Sequence, residues 1–132
     1  MTQAIQVSLH GQRLGISADN NLVTPFGTIS PQTGTATATA GAATLAKASG
    51  KITSEALTTA AGALYTLTIT NTEVAAVDII LASVAYGTST TGVPVVTRAT
   101  ATANTITIVI QNIHASAALN GTIVVSFFLV KV

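Results

Sequence analysis

The sequence contains no cysteine and no tryptophan, and it has only five basic and four acidic residues among 132 positions. The absence of cysteine excludes disulfide bonds and thiolate metal ligands. Charged residues make up 7% of the chain, whereas soluble domains contain about 25%. With a net charge of +1 and no basic cluster, the chain lacks the electrostatic footprint of a nucleic-acid partner. Its two tyrosines and three phenylalanines are also too few for the stacking platforms that bind single strands.

Threonine and alanine dominate the composition and together supply 47 residues. The polar surface must therefore consist mainly of hydroxyl and amide groups. A hydroxyl loses less on drying than a charge does, because one or two hydrogen bonds satisfy it, whereas a buried charge needs a partner. The composition thus predicts surfaces that are covered by other protein.

Neither a secretory leader nor a membrane span is expected. The start, MTQAIQVSLH, lacks a basic segment followed by a long apolar stretch. The run VDIILASVAY contains Asp78, and the run IVVSFFLV is only eight residues long, while a helix needs about 20 apolar residues to cross a bilayer. We therefore expect a soluble protein with no membrane partner.

Alternating apolar residues predict about eight β-strands and no convincing helix. In ALYTLTIT, apolar side chains such as Leu67 alternate with Thr66 and Thr68, which is the period of a strand with two different faces. VDIILASVAY is apolar on both sides, as in a strand inside a sandwich, and Asn120-Gly121 predicts a tight turn before the last strand. The pattern predicts an all-β fold, a two-sheet antiparallel β-sandwich. It favours a jelly roll, with an immunoglobulin-like sandwich as the alternative.

The first part of the chain differs from the rest. A strand is predicted at residues 4–9, after which proline, glycine and asparagine residues interrupt the pattern as far as Gly34. We therefore predict an extended N-terminal arm or loop region over residues 1–34 and a β-sandwich domain over residues 35–132. Two arrangements of the arm stay open, one folded onto its own sandwich and one reaching a neighbouring subunit.

Candidate interface residues come from three places: the apolar anchors of the arm, the threonine side of the ALYTLTIT strand, and the start of the GTSTTG loop. They are Leu14, Ile16, Leu22, Phe26, Tyr86, Thr66 and Thr68.

No arrangement of residues predicts catalysis, a cofactor or a bound metal. His10 and His114 lie far apart, and neither has a second histidine or a carboxylate cluster at ligand spacing. The stretch SGKIT lacks the upstream glycine and the following hydroxyl of a phosphate loop, and no Gly-x-Ser-x-Gly motif occurs. Asp78 would have a raised pKa if it were buried without a partner, but a paired carboxylate is the simpler interpretation. We predict that the protein is not an enzyme; an enzyme would need one of the histidines to converge with carboxylates in a pocket.

Three longer stretches resemble a known family. They are KASGKITSEALTTAAGALYTLTITN, LASVAYGTSTTGVPVVTRAT and IQNIHASAALNGTIVVSFFLVK. In the pattern of their strand and turn residues they resemble the small capsid cement, or decoration, proteins of tailed bacteriophages, over roughly residues 35–132. The resemblance implies a jelly-roll-like structural protein on the outer capsid surface of the virion. There it would bind the major capsid protein and bridge capsomers as a homo-oligomer, a dimer at local two-folds or a trimer at local three-folds.

An adhesin or receptor-binding module of a fibre or surface layer is the alternative function, because threonine-rich sandwiches without cysteine also serve there. In that case the GTSTTG loop and Tyr86 would contact a glycan.

Overall fold

The computed structural model describes residues 33–132 in full, and before them it describes the backbone of four short strands. The chain divides into two compact units, residues 1–32 and residues 33–132. This division falls two residues before the boundary predicted from the sequence.

The N-terminal unit contains a small antiparallel sheet. Its strands are β1 (Gln6–Leu9), β2 (Gln12–Ile16), β3 (Leu22–Thr24) and β4 (Gly27–Ile29), paired in that order. The strand predicted near the start agrees with β1, but the prediction of a loop-rich segment after it is wrong, since three further strands lie there. These strands are only three to five residues long, so their apolar alternation is too brief to distinguish from a loop.

Residues 33–132 form a two-sheet β-sandwich without a helix, as predicted. One sheet has the strand order β10-β11-β8-β6 and the other has the order β5-β7-β12-β9. Jelly rolls and immunoglobulin-like domains both belong to this class. The strands are β5 (Thr33–Thr37), β6 (Ala42–Thr44), β7 (Ser49–Thr53), β8 (Leu64–Thr70), β9 (Ile79–Tyr86), β10 (Pro94–Thr102), β11 (Thr105–Asn112) and β12 (Ile123–Val130).

Each sheet of the sandwich contains one parallel pair, which corrects the wholly antiparallel arrangement predicted from the sequence. β5 pairs with β7, and β6 pairs with β8. Between β5 and β6 the chain turns tightly, with positive φ at Ala40 and Gly41, and enters the opposite sheet. When it returns in β7 it runs in the same direction as β5. A Cβ atom at Gly41 would lie 2.6 Å from the carbonyl oxygen of Thr66, so this turn requires glycine.

The core is an apolar layer between the two sheets, built from alternate residues of the long strands. Leu67 of β8 pairs with Ile108 of β11, and both side chains are fully buried. Burying each such side chain contributes about 1.5–3 kcal/mol. The other sheet contributes mainly through β12 and β7. The largest fully buried apolar side chains are Ile52, Leu67, Ile69, Ile106, Ile108, Ile110, Leu119, Ile123 and Val125.

We expect Leu67→Ala to lower the free energy of unfolding by about 2–5 kcal/mol, because it leaves a cavity between the sheets. Leu64→Ala on the same strand is the matched control. Leu64 is 61% exposed, so its truncation should change stability by less than about 0.5 kcal/mol. Urea unfolding of both variants measures the difference, and equal losses would mean that the two sides of β8 are assigned to the wrong faces.

Candidate interaction surfaces

The outward side of the β10-β11-β8-β6 sheet is covered by threonine. The strand register aligns Thr100, Thr107 and Thr68 in one row across three strands. A second row crosses all four strands. We call this surface the threonine face. Its members are Thr44, Thr66, Thr68, Thr70, Thr100, Thr102, Thr105 and Thr107.

The threonine face is almost free of charge, because Arg98 is the one charged residue in the four strands that form this sheet. Its hydroxyls are only weakly engaged within the sheet. Thr100 Oγ1 donates to the carbonyl of Thr107 at 3.5 Å, and Thr102 Oγ1 donates to the carbonyl of Thr105 at 3.4 Å. Both distances are at the long end for a hydroxyl donor. The face can therefore offer many hydroxyl donors and acceptors to a partner, and Arg98, which lies in the same row as Thr66, is its single charge.

The outward side of the other sheet carries an exposed apolar cluster at one end. Leu81 of β9 pairs with Phe128 of β12, and Ile79 pairs with Val130. Ile79, Leu81 and Phe128 are 52%, 58% and 52% exposed. We call these four residues the apolar patch. The sequence analysis placed β9 inside the sandwich because both of its sides are apolar. That interpretation is wrong, since β9 is an edge strand whose outward side chains are exposed.

An ion pair borders the apolar patch. Lys131 Nζ lies 2.6 Å from Asp78 Oδ2, which also accepts the Ala75 amide at 2.7 Å. The Lys131 hydrogen bond, followed by the Ala75 amide, holds the pKa of the Asp78 carboxyl below its usual range. Asp78 is therefore a paired carboxylate, with its pKa shifted in the opposite direction from that of a buried general acid.

Acid should destabilise the protein partly through Asp78. Its folded-state pKa lies below the unfolded value of about 3.9, so its stabilisation is complete above that value and is lost as the pH falls towards the folded-state pKa. We expect Asp78→Asn to be less stable at neutral pH and to lose less further stability than wild type between about pH 5 and pH 2.

Thermal unfolding across this pH range measures the effect of Asp78→Asn. Glu73→Gln is the control, because Lys131 binds the backbone carbonyl of Glu73 rather than its carboxylate. If the thermal stabilities of Asp78→Asn and Glu73→Gln depend on pH in the same way, the Asp78–Lys131 ion pair does not contribute to stability as described.

The GTSTTG loop, residues 87–92, is held in place by Asn120. Asn120 Oδ1 accepts the backbone amides of Thr90 and Thr91 at 2.7 and 3.1 Å, and the Tyr86 hydroxyl donates to the carbonyl of Gly92 at 2.7 Å. The tight hairpin turn predicted at Asn120-Gly121 is absent, because ten residues connect β11 to β12. Glycine is required at 121 because a Cβ atom there would lie 2.8 Å from the Ser89 amide nitrogen.

The side chain of Asn112 also joins several segments through hydrogen bonds, a role that was not predicted from the sequence. Its Oδ1 accepts the Val93 and His114 amides, and its Nδ2 donates to the carbonyls of Thr59 and Ala117. The side chain is fully buried, so all its hydrogen bonds are made within the protein. Nothing in the sequence separates Asn112 from an ordinary loop asparagine, because two of its partners, Thr59 and Val93, come from distant segments.

We expect Asn112→Asp to lower the free energy of unfolding by about 2 kcal/mol or more, because it replaces a donor that faces two carbonyls with an acceptor. Gln111→Glu is the matched control on the same strand, where a partly exposed amide makes one hydrogen bond, to the Gly62 carbonyl. Chemical unfolding at neutral pH compares the two. A smaller loss in Asn112→Asp than in Gln111→Glu would contradict the assigned network.

Three further ionisable side chains, those of His114, Glu55 and Tyr65, form local hydrogen bonds. His114 Nδ1 accepts the amides of Ser116 and Ala117. Glu55 accepts the Gly41 amide and the Tyr65 hydroxyl, and burial, together with the charge of Glu55, raises the pKa of Tyr65. Within residues 33–132 and the described N-terminal strands, no three His, Cys, Asp or Glu side chains form a group that could hold a metal ion.

The sequence-derived interface residues fall into separate places. Thr66 and Thr68 lie on the threonine face, whereas Tyr86 is 51% exposed at the end of β9 in the other sheet. The backbones of Leu14, Ile16 and Leu22 belong to β2 and β3, but their side chains, and the whole of Phe26, lie outside the described residues. The apolar patch was missed; its signal is the run of large apolar residues on both sides of β9 and β12.

Comparisons with protein-family models, curated proteins and solved structures find no match to this chain. Among the described residues, no helix is long and apolar enough to cross a membrane. The two outer faces of the sandwich are therefore the features that bear on function.

Proposed function

We propose that this chain is a structural virion protein that binds the outside of a tailed-phage head at capsomer junctions and stabilises the capsid. Its partners are the major capsid protein and further copies of itself, as a dimer or trimer, and its sandwich is of the jelly-roll type. The observation that carries the proposal is the threonine face, a broad, ordered and nearly uncharged sheet surface.

The free-energy cost of removing water from the threonine face favours a protein as its partner. A charged surface would lose the hydration of every ionised group on docking, and the effective penalty is several kcal/mol per ion. A threonine hydroxyl needs only one or two hydrogen bonds to compensate for its loss of water. The rows of Thr66, Thr68 and their neighbours can therefore be covered at low cost and still fix the register of a partner.

Two loops of the sandwich are held by side-chain hydrogen bonds, which suits a permanent structural role. The loop at residues 87–92 is held by Asn120, and the connection at residues 113–118 is held by Asn112 and His114. A preordered surface loses little conformational entropy on binding. On a head lattice, weak contacts add up because a subunit bound at one site holds its second site at high effective concentration.

A single lysine on the threonine face should disrupt docking. We expect Thr68→Lys to weaken binding to heads that lack the protein by more than tenfold, because its ammonium must be dried without a partner. The control is Thr72→Lys, which adds the same charge at an exposed turn residue outside the four strands. Co-sedimentation with empty heads measures binding. Equal binding of Thr68→Lys and wild type would contradict the assigned face, and no binding by wild type would contradict the proposed function.

An adhesin or glycan-binding module is the second candidate function. The observation that favours it is the exposed Tyr86 ring, which lies beside the hydrogen-bonded loop at residues 87–92. A glycan array probed with wild type and Tyr86→Ala separates the two functions. Glycan binding that requires Tyr86, without binding to heads, would replace the capsid proposal.

A further inference from the structure

The sequence contains one Asn-Gly pair, Asn120-Gly121. An asparagine followed by glycine is prone to deamidation, because a residue without a Cβ atom leaves its backbone nitrogen free to approach the preceding side chain. The Gly121 nitrogen loses its proton and bonds to Asn120 Cγ, ammonia leaves, and a succinimide ring remains. Water then opens the ring at either carbonyl, which gives aspartate or isoaspartate. Asn120 is exposed, so water can reach it.

The carboxamide of Asn120 is bound to the loop at residues 87–92. Its Oδ1 accepts the backbone amides of Thr90 and Thr91 at 2.7 and 3.1 Å, and the Ser89 hydroxyl lies 3.1 Å from the same oxygen. Its Nδ2 donates to Thr90 Oγ1 at 2.9 Å. All four distances are ordinary hydrogen-bond lengths. We call these partners the Asn120 cradle. The side chain cannot turn towards its own backbone without leaving the cradle.

The backbone on both sides of the Asn120-Gly121 bond is fixed as well. The Asn120 amide donates to Ser89 Oγ at 3.2 Å, and the Thr122 amide donates to Thr88 Oγ1 at 2.9 Å. Between them the chain packs closely on the loop, since a Cβ atom at Gly121 would lie 2.7 Å from Thr88 Oγ1. Rotation about the bonds of Asn120 would therefore separate the two segments.

We propose that Asn120 is a latent deamidation site, which the closed loop protects and which reacts only when the loop at residues 87–92 opens. The rate of such a reaction follows the population of the open form. Opening breaks at least three hydrogen bonds of the cradle, which lowers that population on the order of a hundredfold. The fraction of converted Asn120 thus records how often the loop has opened. This inference goes beyond the proposed function and does not depend on what the sandwich binds.

The two products should differ in their fit to the cradle. Consecutive backbone amides such as those of Thr90 and Thr91 suit an anion, and hydrogen bonds to a carboxylate are stronger than those to a neutral amide. The Thr90 hydroxyl can rotate to donate to the new oxygen. Aspartate therefore refits the cradle. Isoaspartate carries the main chain through Cγ, which lengthens the backbone and moves the free carboxylate, so the loop cannot close in the same way.

The deamidation rates of folded and denatured wild type test the protection. Both samples are held at the same mildly alkaline pH and temperature, one of them in guanidinium chloride, and peptide mass spectrometry follows residue 120. The folded protein should react about a hundredfold more slowly. Asn104 is the internal reference, because it is exposed and is followed by threonine. Equal rates in the two samples would overturn the protection, and a denatured chain in which Asn120 reacts no faster than Asn104 would overturn the site.

Removing one hydroxyl of the cradle should release the reaction. Ser89→Ala deletes the group that bonds both Oδ1 and the backbone amide of Asn120, and it should accelerate deamidation at least tenfold in the folded protein. Ser83→Ala is the matched control, the same change at an exposed position of β9, and it should leave the rate unchanged. A folded Ser89→Ala that reacts no faster than Ser83→Ala would overturn the proposal.

Circular dichroism and denaturant midpoints show whether Ser89→Ala folds. If it does not, Thr90→Ala replaces it, because this change removes one exposed acceptor of the cradle and should still accelerate deamidation at least twofold. An unchanged rate in folded Thr90→Ala would then overturn the proposal.

Asn120→Asp and Asn120→Ala test the cradle without any reaction. Asn120→Asp should keep the denaturant midpoint of wild type at neutral pH, since its carboxylate accepts the same backbone amides, whereas Asn120→Ala leaves those amides without their acceptor and should lower the midpoint. Equal losses in the two variants would contradict the assigned cradle.

Discussion

The apolar layer between the two sheets is the constraint on which the rest of the structure depends. Because side chains alternate along a strand, burying Leu67 and Ile69 on one side of β8 forces Thr66, Thr68 and Thr70 onto the other. The same reasoning holds for β11 and β12, whose buried residues complete the layer. A register slip of one residue would exchange the buried and exposed sets. The core therefore determines which groups the outer faces present.

The two outer faces present different chemistry, although neither carries more than one charge in its strands. The hydroxyl-covered sheet can exchange water for hydrogen bonds with a partner, whereas the apolar patch gains by removing hydrocarbon from water. A subunit with two such faces offers one surface suited to hydrogen-bonded contacts and another suited to apolar contacts. Low charge content suits both faces, since fewer ionised groups must lose water on assembly.

The sequence analysis predicted the features that depend on local periodicity and missed those that depend on long-range pairing. The alternation in β8 was sufficient to place Thr66 and Thr68 on an outward side. The parallel pairs could not be predicted, because they arise from the turn at Ala40 and Gly41 that sends β6 into the other sheet. The edge position of β9 was also missed, since an apolar strand has the same sequence pattern whether its outward side is buried or exposed. The role of Asn112 arises only in the fold, which joins segments far apart in the chain.

The central claim is that the threonine face is the surface that contacts the viral shell. Electron cryomicroscopy of heads saturated with the protein tests it most directly, because the orientation of a bound sandwich can be determined from the density. The account predicts density at capsomer junctions with the β10-β11-β8-β6 sheet turned towards the shell. Density with that sheet turned towards solvent, or heads that remain bare, would contradict it.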